Sequence, residues 1–261
     1  MIGIIGCGNM GSALIKGLKR KVKGSRLLIY DKDRTKQARA KKTYRIKGAK
    51  SLEEVISRSK IILITVKPQD IIAVLNSIKK NYAKQLIVSI AAGISTTFIQ
   101  KKIGHKARVV RVMPNLAVKA SASISVIAKG KFATGSDLVK ARNIFKSVGV
   151  CLILDEKEIN AATAISGSGP GYIYYFLHCF QSAAIKLGFS KNIAKLLTFH
   201  TIKGAVNLLS ETDDFLSLVN QVASKGGTTE AALKLLEKKK FKKIIEGAAE
   251  SAKKRAKELA R

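Results

Sequence analysis

Gly6, Gly8 and Gly11 stand in GxGxxG spacing within "IGIIGCGNMGSAL", between an apolar run and an amphipathic one. At a strand-to-helix junction this spacing suits a pyrophosphate. The first glycine makes the tight turn, the second lets the anion reach backbone, and the third lets helix pack on strand. Asn9 and Met10 lie where the turn enters the helix, whose N-terminal amides and dipole face the anion. Asp31 follows the next apolar run about 20 residues on, where a carboxylate accepts a hydrogen bond from the adenosine ribose of NAD. Its neighbours Lys32, Arg34 and Lys36 suit the 2′-phosphate of NADP instead, and "DKDR" also reads as the polar cap of the following helix. These residues leave the choice between NADPH and NADH open.

Three further apolar runs end in residues that reach the same crevice, because ligands of open α/β sheets lie beyond the carboxyl ends of the strands. They deliver Lys67 in "TVKPQ", held by Pro68, Ala92 and Gly93 in "IAAG", and Asn115 in "VMPN", which could instead cap a turn. Near the other end of the chain, "VASKGGTTEAALKLLE" interrupts a series of helical segments. A glycine pair leading into a helix points several amides one way, a nest sized for a carboxylate or a phosphate. Ser224, Gly226, Gly227, Thr228 and Thr229 form that stretch, with a threonine hydroxyl beside whatever carries the anion. Taken alone, the same residues read as an interhelical turn with a threonine cap.

The remaining polar residues point elsewhere. His105, His178 and His200 lack carboxylate or cysteine partners at recognisable spacing and read as surface or helix-packing residues. "SGSGP" at 166–170 is not a nucleophile elbow, since Ser166 stands where the first glycine belongs, and it reads as a helix break capped by Ser168 with Pro170 behind. Cys7, Cys151 and Cys179 are odd in number and far apart, so they support neither a disulfide framework nor a metal site and read as small apolar residues.

The elements that position these residues fall into two series. From Met1 to about Leu154, β-rich runs at 2–5, 26–30, 61–66, 86–90, 108–113, 123–128 and 150–154 alternate with helical stretches such as 10–20, 34–42, 52–57, 69–81 and 136–147. That alternation predicts a doubly wound α/β sheet of parallel strands. After Asp155 the strand signal stops, and 171–187, 191–209, 213–221, 230–240 and 242–259 carry apolar residues at three- and four-residue spacing. The expected division is therefore a dinucleotide-binding domain at 1–155 and a helical domain at 156–261. No apolar run approaches the ~20 residues that cross a bilayer, and the start shows no leader pattern, so the expected compartment is the cytoplasm. The net charge of +32 raises polyanions as partners, yet only 11 of the 49 basic residues are Arg, they are scattered, and aromatics are 6% with no Trp. Such a surface reads as Lys-rich and solvated, attracting small anions rather than reading nucleic acid.

The order "GCGNMG", "VKPQ", "AAGI", "RVMPN", "SGSGPGYIYYF" and "SKGGTTEAALKLLE" resembles the pyrroline-5-carboxylate reductases over essentially the full length. The resemblance implies an N-terminal Rossmann domain, a helical C-terminal dimerisation domain, and an active site completed between two subunits, with rings of dimers common. It implies hydride transfer from NADPH or NADH to the C=N carbon of 1-pyrroline-5-carboxylate, giving proline. By motif, Thr229 is the hydroxyl that contacts the ring nitrogen, and Ser224, Gly226, Gly227 and Thr228 hold the substrate carboxylate. The sequence departs from the family pattern at three places: Leu116-Ala117 where Thr-Pro is usual, Lys225 where the loop has Pro, and Asp31 where a small polar residue is common. A β-hydroxyacid dehydrogenase also joins such domains, but it needs a lysine with an asparagine four residues on, which "GSGPGYIYYFLHCF" lacks.

Overall fold

In the computed structural model the described residues are 1–104, 106–210 and 214–260. His105, expected at the surface or in helix packing, and Asp213, expected to open a helix, lie outside them. The chain forms two compact units, Met1–Pro170 with Ala252–Arg261, and Gly171–Ser251.

The first unit is an eight-stranded sheet flanked by helices. Its elements run β1 (Ile2–Ile5), α1 (Asn9–Lys19), β2 (Leu27–Tyr30), α2 (Arg34–Tyr44), β3 (Lys47–Gly48), α3 (Leu52–Ser57), β4 (Ile61–Ile64), α4 (Ile71–Asn81), β5 (Leu86–Ser89), α5 (Thr96–Ile103), β6 (Arg108–Met113), β7 (Ser123–Lys129), α6 (Gly135–Phe145) and β8 (Gly149–Ile153). The strand order β3-β2-β1-β4-β5-β6-β7-β8 contains the 3-2-1-4-5-6 order of dinucleotide-binding folds. Central strands are buried on both faces, hence their unbroken Ile, Leu and Val, and a core of Ile4, Leu14, Leu63 and Phe145 on one face matches Ile5, Ile62, Leu75 and Val109 on the other.

The sheet departs from the expected all-parallel pattern at one pair, because β6 and β7 run antiparallel. The connection explains it: only a 3-10 turn at Leu116–Ala120 joins them, too short for a helical crossover of about a dozen residues. Two elements go beyond the expected ones. β3 is two residues long and exists through its pairing with β2, Leu28 opposite Lys47, while α5 is started by the Ser95 hydroxyl accepting from Phe98 N–H at 3.0 Å.

After β8 come α7 (Ile159–Ala162) and a π-helical turn at Thr163–Gly167, then α8 (Gly169–Lys186). The expected break falls at Ser168, a turn residue between the π turn and α8, but its backbone stays right-handed (φ −84°, ψ −25°) and its N–H closes the π turn on the Thr163 carbonyl at 2.8 Å. Pro170 sits in the first turn of α8, where its missing N–H costs nothing.

The second unit comprises most of α8 with α9 (Lys191–Asn207), α10 (Phe215–Val222), α11 (Thr228–Lys238) and the first part of α12 (Phe241–Glu258). Among its described residues only Ala194 and Thr198 are buried. Tyr175, Leu187, Leu208 and Val222 are 70%, 80%, 82% and 69% exposed. Helices carrying that much apolar surface need a covering partner. His178 and His200 are exposed beside Tyr175 and Phe199, as expected. Cys7 is buried and Cys151 partly so, while Cys179 is exposed on α8 beside the apolar residues that call for a covering partner.

Candidate active site

The turn between β1 and α1 is packed to backbone contact. Gly6 has φ +109°, and its N–H donates to the Tyr30 carbonyl at 2.8 Å, tying the loop to β2. A Cβ on Gly11 would stand 2.0 Å from the Gly6 carbonyl oxygen, whereas one on Gly8, the N-cap of α1, would meet nothing within 4 Å. Gly11 thus lets the helix close on the turn while Gly8 leaves open space for a ligand to reach its backbone. Asn9 lines the groove beside this loop; Met10 turns its side chain onto the core and leaves only its backbone at the helix start. Sequence reading missed Thr65, whose hydroxyl donates to the Gly6 carbonyl at 2.7 Å and holds the loop from β4.

Asp31, 9% exposed, accepts from the Cys7 N–H through one carboxylate oxygen and from the Asp33 N–H through the other at 2.9 Å. It braces the glycine loop against the β2–α2 turn. Burial, with the Asp31 charge beside it, pushes the Cys7 thiol up to about 12, so the sulfur stays protonated and is no nucleophile. The capping reading of "DKDR" is met by Asp33, which accepts from the N–H groups of Thr35 and Lys36. Lys32 pairs with Asp70, and Arg34 donates to the Lys50 carbonyl at 2.9 Å with its guanidinium 5.6 Å from the Tyr30 ring centre. Neither of these two cations is left free.

A cleft of about 330 Å³ collects Gly6, Gly8, Tyr30, Asp31 and Lys67 at the strand ends. Pro68 starts the 3-10 turn Pro68–Asp70 and fixes the chain behind Lys67. Ala92 and Gly93 line a separate cavity of about 240 Å³ with Arg111, Thr163, Ser168 and Arg255. Gly93 has φ +72°, and a Cβ there would meet the Leu259 carbonyl oxygen at 2.4 Å, so the end of α12 lies against that turn. Arg111, 5% exposed, pairs with Glu156 at 3.3 Å, and Glu156 also takes the N–H and hydroxyl of Thr96. This network was not legible in sequence, its members lying 45 and 60 positions apart. Asn115 does not cap its turn: its N–H donates to the Ser123 hydroxyl, and its side-chain Oδ1 is buried without a partner.

In the other unit, α11 begins at Thr228 rather than Glu230. Its cap is Gly227, not a threonine. Gly226 has φ +74° and donates its N–H to the Glu230 carboxylate, while the Gly227 N–H goes to the Ser224 carbonyl at 3.0 Å. Lys234 and that Gly226 N–H hold the Glu230 carboxyl below its ordinary range. The nest is therefore narrower than a glycine pair suggests. The first intrahelical bond is Ala231 N–H to the Gly227 carbonyl, which leaves the amides of Thr228, Thr229 and Glu230 in the first turn for an anion.

A glycine turn closed to backbone contact, an open approach at Gly8 and an orphaned Asn115 oxygen together fit a nicotinamide dinucleotide, and define a Rossmann-type oxidoreductase. Among the described residues no three His, Cys, Asp or Glu side chains converge as metal ligands. The family model for pyrroline-5-carboxylate reductase dimerisation matches residues 156–259, and that for coenzyme F420-dependent NADP oxidoreductase matches residues 1–93. The chain is 31% identical to pyrroline-5-carboxylate reductase 2 of Bacillus subtilis over 99% of its length and 94% of the relative's. It is 32% identical to the pyrroline-5-carboxylate reductase of Escherichia coli, covering 94% and 92% of the two chains. Among solved structures it is similar to the Coxiella burnetii pyrroline-5-carboxylate reductase (TM-score 0.94, 30% identity, 100% and 98% covered). It is also similar to the Plasmodium falciparum pyrroline carboxylate reductase solved with NADP bound (TM-score 0.86, 32% identity, 100% and 98% covered). The chain belongs to the pyrroline-5-carboxylate reductase family and is an NAD(P)H-dependent oxidoreductase.

Proposed function

We propose that this chain performs its pyrroline-5-carboxylate reduction with Thr229 at the imine nitrogen and the first turn of α11 at the substrate carboxylate. The observation that carries this reading is that first turn: free amides at Thr228 and Thr229 stand beside a partly buried hydroxyl, that of Thr229. A carboxylate there is stabilised by the helix dipole, and the Thr229 hydroxyl holds the proton or hydrogen bond that makes the neighbouring ring carbon electrophilic. Ser224, Gly226 and Gly227 shape the loop through their own bonds, and exposed Lys225 adds a positive charge beside it. Gly6, Gly8, Asn9, Met10 and Gly11 hold the cofactor's pyrophosphate by backbone, Asp31 braces that loop, Lys67 and Pro68 border the adenosine cleft, and Ala92, Gly93 and Asn115 serve the nicotinamide end. When bound, the cofactor supplies the hydride; the chain supplies orientation and a preorganised field.

The functional domains are 1–155 and 156–261, supported by the start of the dimerisation match at 156. The enzyme is cytoplasmic, in keeping with three free cysteines, and works as homodimers that complete the active site between copies, arranged in rings of dimers. The test is to mix protein, 1-pyrroline-5-carboxylate and NADPH or NADH, and to follow nicotinamide absorbance and L-proline. Proline formation at the expense of reduced nicotinamide is expected; its absence with both cofactors rejects the reading.

A further inference from the structure

The conspicuous cations of the β2–α2 turn are engaged elsewhere, Lys32 by Asp70 and Arg34 by Lys50 and Tyr30. A different set is gathered nearby. Between α1 and α2 runs a groove of about 650 Å³ that shares Gly8, Lys36 and Lys67 with the dinucleotide cleft. Its charged lining is Lys16, Lys36, Arg39, Lys67 and Lys119, and among the described residues no carboxylate lines it. Arg39 lies close enough to Lys36 to oppose its charge, and Lys36 has only the surface partner Asp33 at 3.1 Å, with Asp31 behind. Like charges gathered in a concavity whose described lining holds no carboxylate favour an anion there, and the first turn of α1 adds its dipole at Gly8 and Asn9.

The two concavities meet at Gly8 and Lys36. The first has walls of Tyr30, Leu52, Val66 and Val74 that suit an adenosine, so ribose substituents stand at the mouth of the second. Asp31, the carboxylate that would oppose a phosphate here, has both oxygens directed to the backbone amides of Cys7 and Asp33. We propose that this chain selects NADPH over NADH by holding the ribose 2′-phosphate between Lys36 and Arg39, with Lys16, Lys67 and Lys119 supplying the surrounding field. This rests on the reductase reading above for the identity of the cofactor. Lys36 stands in the first turn of α2, among the cations that the sequence already offers for this phosphate, and Arg39, a turn further on, is the residue that the fold adds.

Fluorescence titration of the full chain with NADPH and NADH tests the proposal apart from turnover. Two charge-assisted contacts predict NADPH binding about 100-fold tighter than NADH. In Lys36→Ala/Arg39→Ala the NADPH affinity falls by about 100-fold while NADH affinity stays within about threefold, and Lys36→Arg retains the preference. 2′,5′-ADP and 5′-AMP, which lack nicotinamide, should reproduce the same difference and the same loss. Equal affinity of the wild-type chain for the two cofactors, or a preference that survives in the double variant with an unchanged melting curve, overturns it. Selective NADPH binding without any turnover of 1-pyrroline-5-carboxylate would instead uphold the groove and reject the reductase reading.

Discussion

Thr229 is the residue on which the proposed chemistry concentrates, and it acts from a fixed place. It is the second residue of α11, partly buried, beside amides that precede the first helical bond. Thr229→Ala should lower kcat/KM by about 1–3 kcal/mol in transition-state terms while leaving the melting temperature unchanged, and Thr229→Ser should keep most of the rate. Steady-state kinetics against both cofactors reads this directly; wild-type turnover in the alanine variant would move the proton-handling role elsewhere. Asp31 gains a role that its spacing does not show. It lines the dinucleotide cleft, where its position along the sequence suggests a ribose reader, and its two oxygens also accept from the Cys7 amide of the glycine turn and the Asp33 amide of the β2–α2 turn, bonds that only the fold reveals.

At the scale of elements, the β1–α1 unit has no slack. Gly11→Ala forces a methyl to within 2.0 Å of the Gly6 oxygen, so α1 must move off β1. Overpacking of this kind costs about 3 kcal/mol, and urea denaturation with a parallel cofactor titration should show stability and binding falling together. The start of α6 is set by a capping box, Thr134 with Asp137, and Asp137 also pairs with Arg108 and Lys140. Burial pushes the Asp137 carboxyl up, but hydrogen bonds from Thr134 and the charges of Arg108 and Lys140 outweigh it and leave the group below its ordinary range. A depressed folded-state value gives stability that is present above the unfolded value, about 3.9, and is lost as pH falls through the folded one. Stability measured from pH 6 down to pH 2 should therefore decline in acid. Asp137→Asn should be less stable by about 1–3 kcal/mol at pH 7 and show a flatter acid limb.

At the scale of the molecule, only Ala194 and Thr198 are buried among the described residues of 171–251, and the family model over 156–259 is a dimerisation domain. Homo-oligomers follow as a physical requirement: exposed Tyr175, Phe176 and Leu197 on α8 and α9 gain stability only when a second copy covers them. Interfaces of this obligate kind bury about 2,000–5,000 Å². Sedimentation velocity should show no monomer at micromolar concentration, and Tyr175→Asp/Leu197→Asp should yield monomer or aggregate with turnover lost. A discrete wild-type monomer that turns over would show that the active site is complete in one chain. The net charge of +32 lies mainly on helix surfaces, where α12 alone carries Lys242, Lys243, Lys253, Lys254, Arg255 and Lys257.

Local pattern was enough for much of this protein. Unbroken Ile/Val/Leu runs located every strand but β3 to within a residue or two, because buried strands tolerate little else, and the glycine spacing located the pyrophosphate turn, because backbone contact admits no side chain. The glycine pair at 226–227 marked a helix start, but local pattern left the loop at 224–229 open between an anion nest and a threonine-capped turn, and the cap is Gly227. What the sequence by itself left undecided were matters of partnership across distance. Whether a short connection returns β7 antiparallel, whether Glu230 takes the Gly226 amide, and whether Arg34 stays free or turns to the Lys50 carbonyl depend on which groups the folded chain brings within hydrogen-bonding reach. Spacing along a chain limits those contacts, but only packing in three dimensions, where each polar group takes the nearest available partner, decides among them.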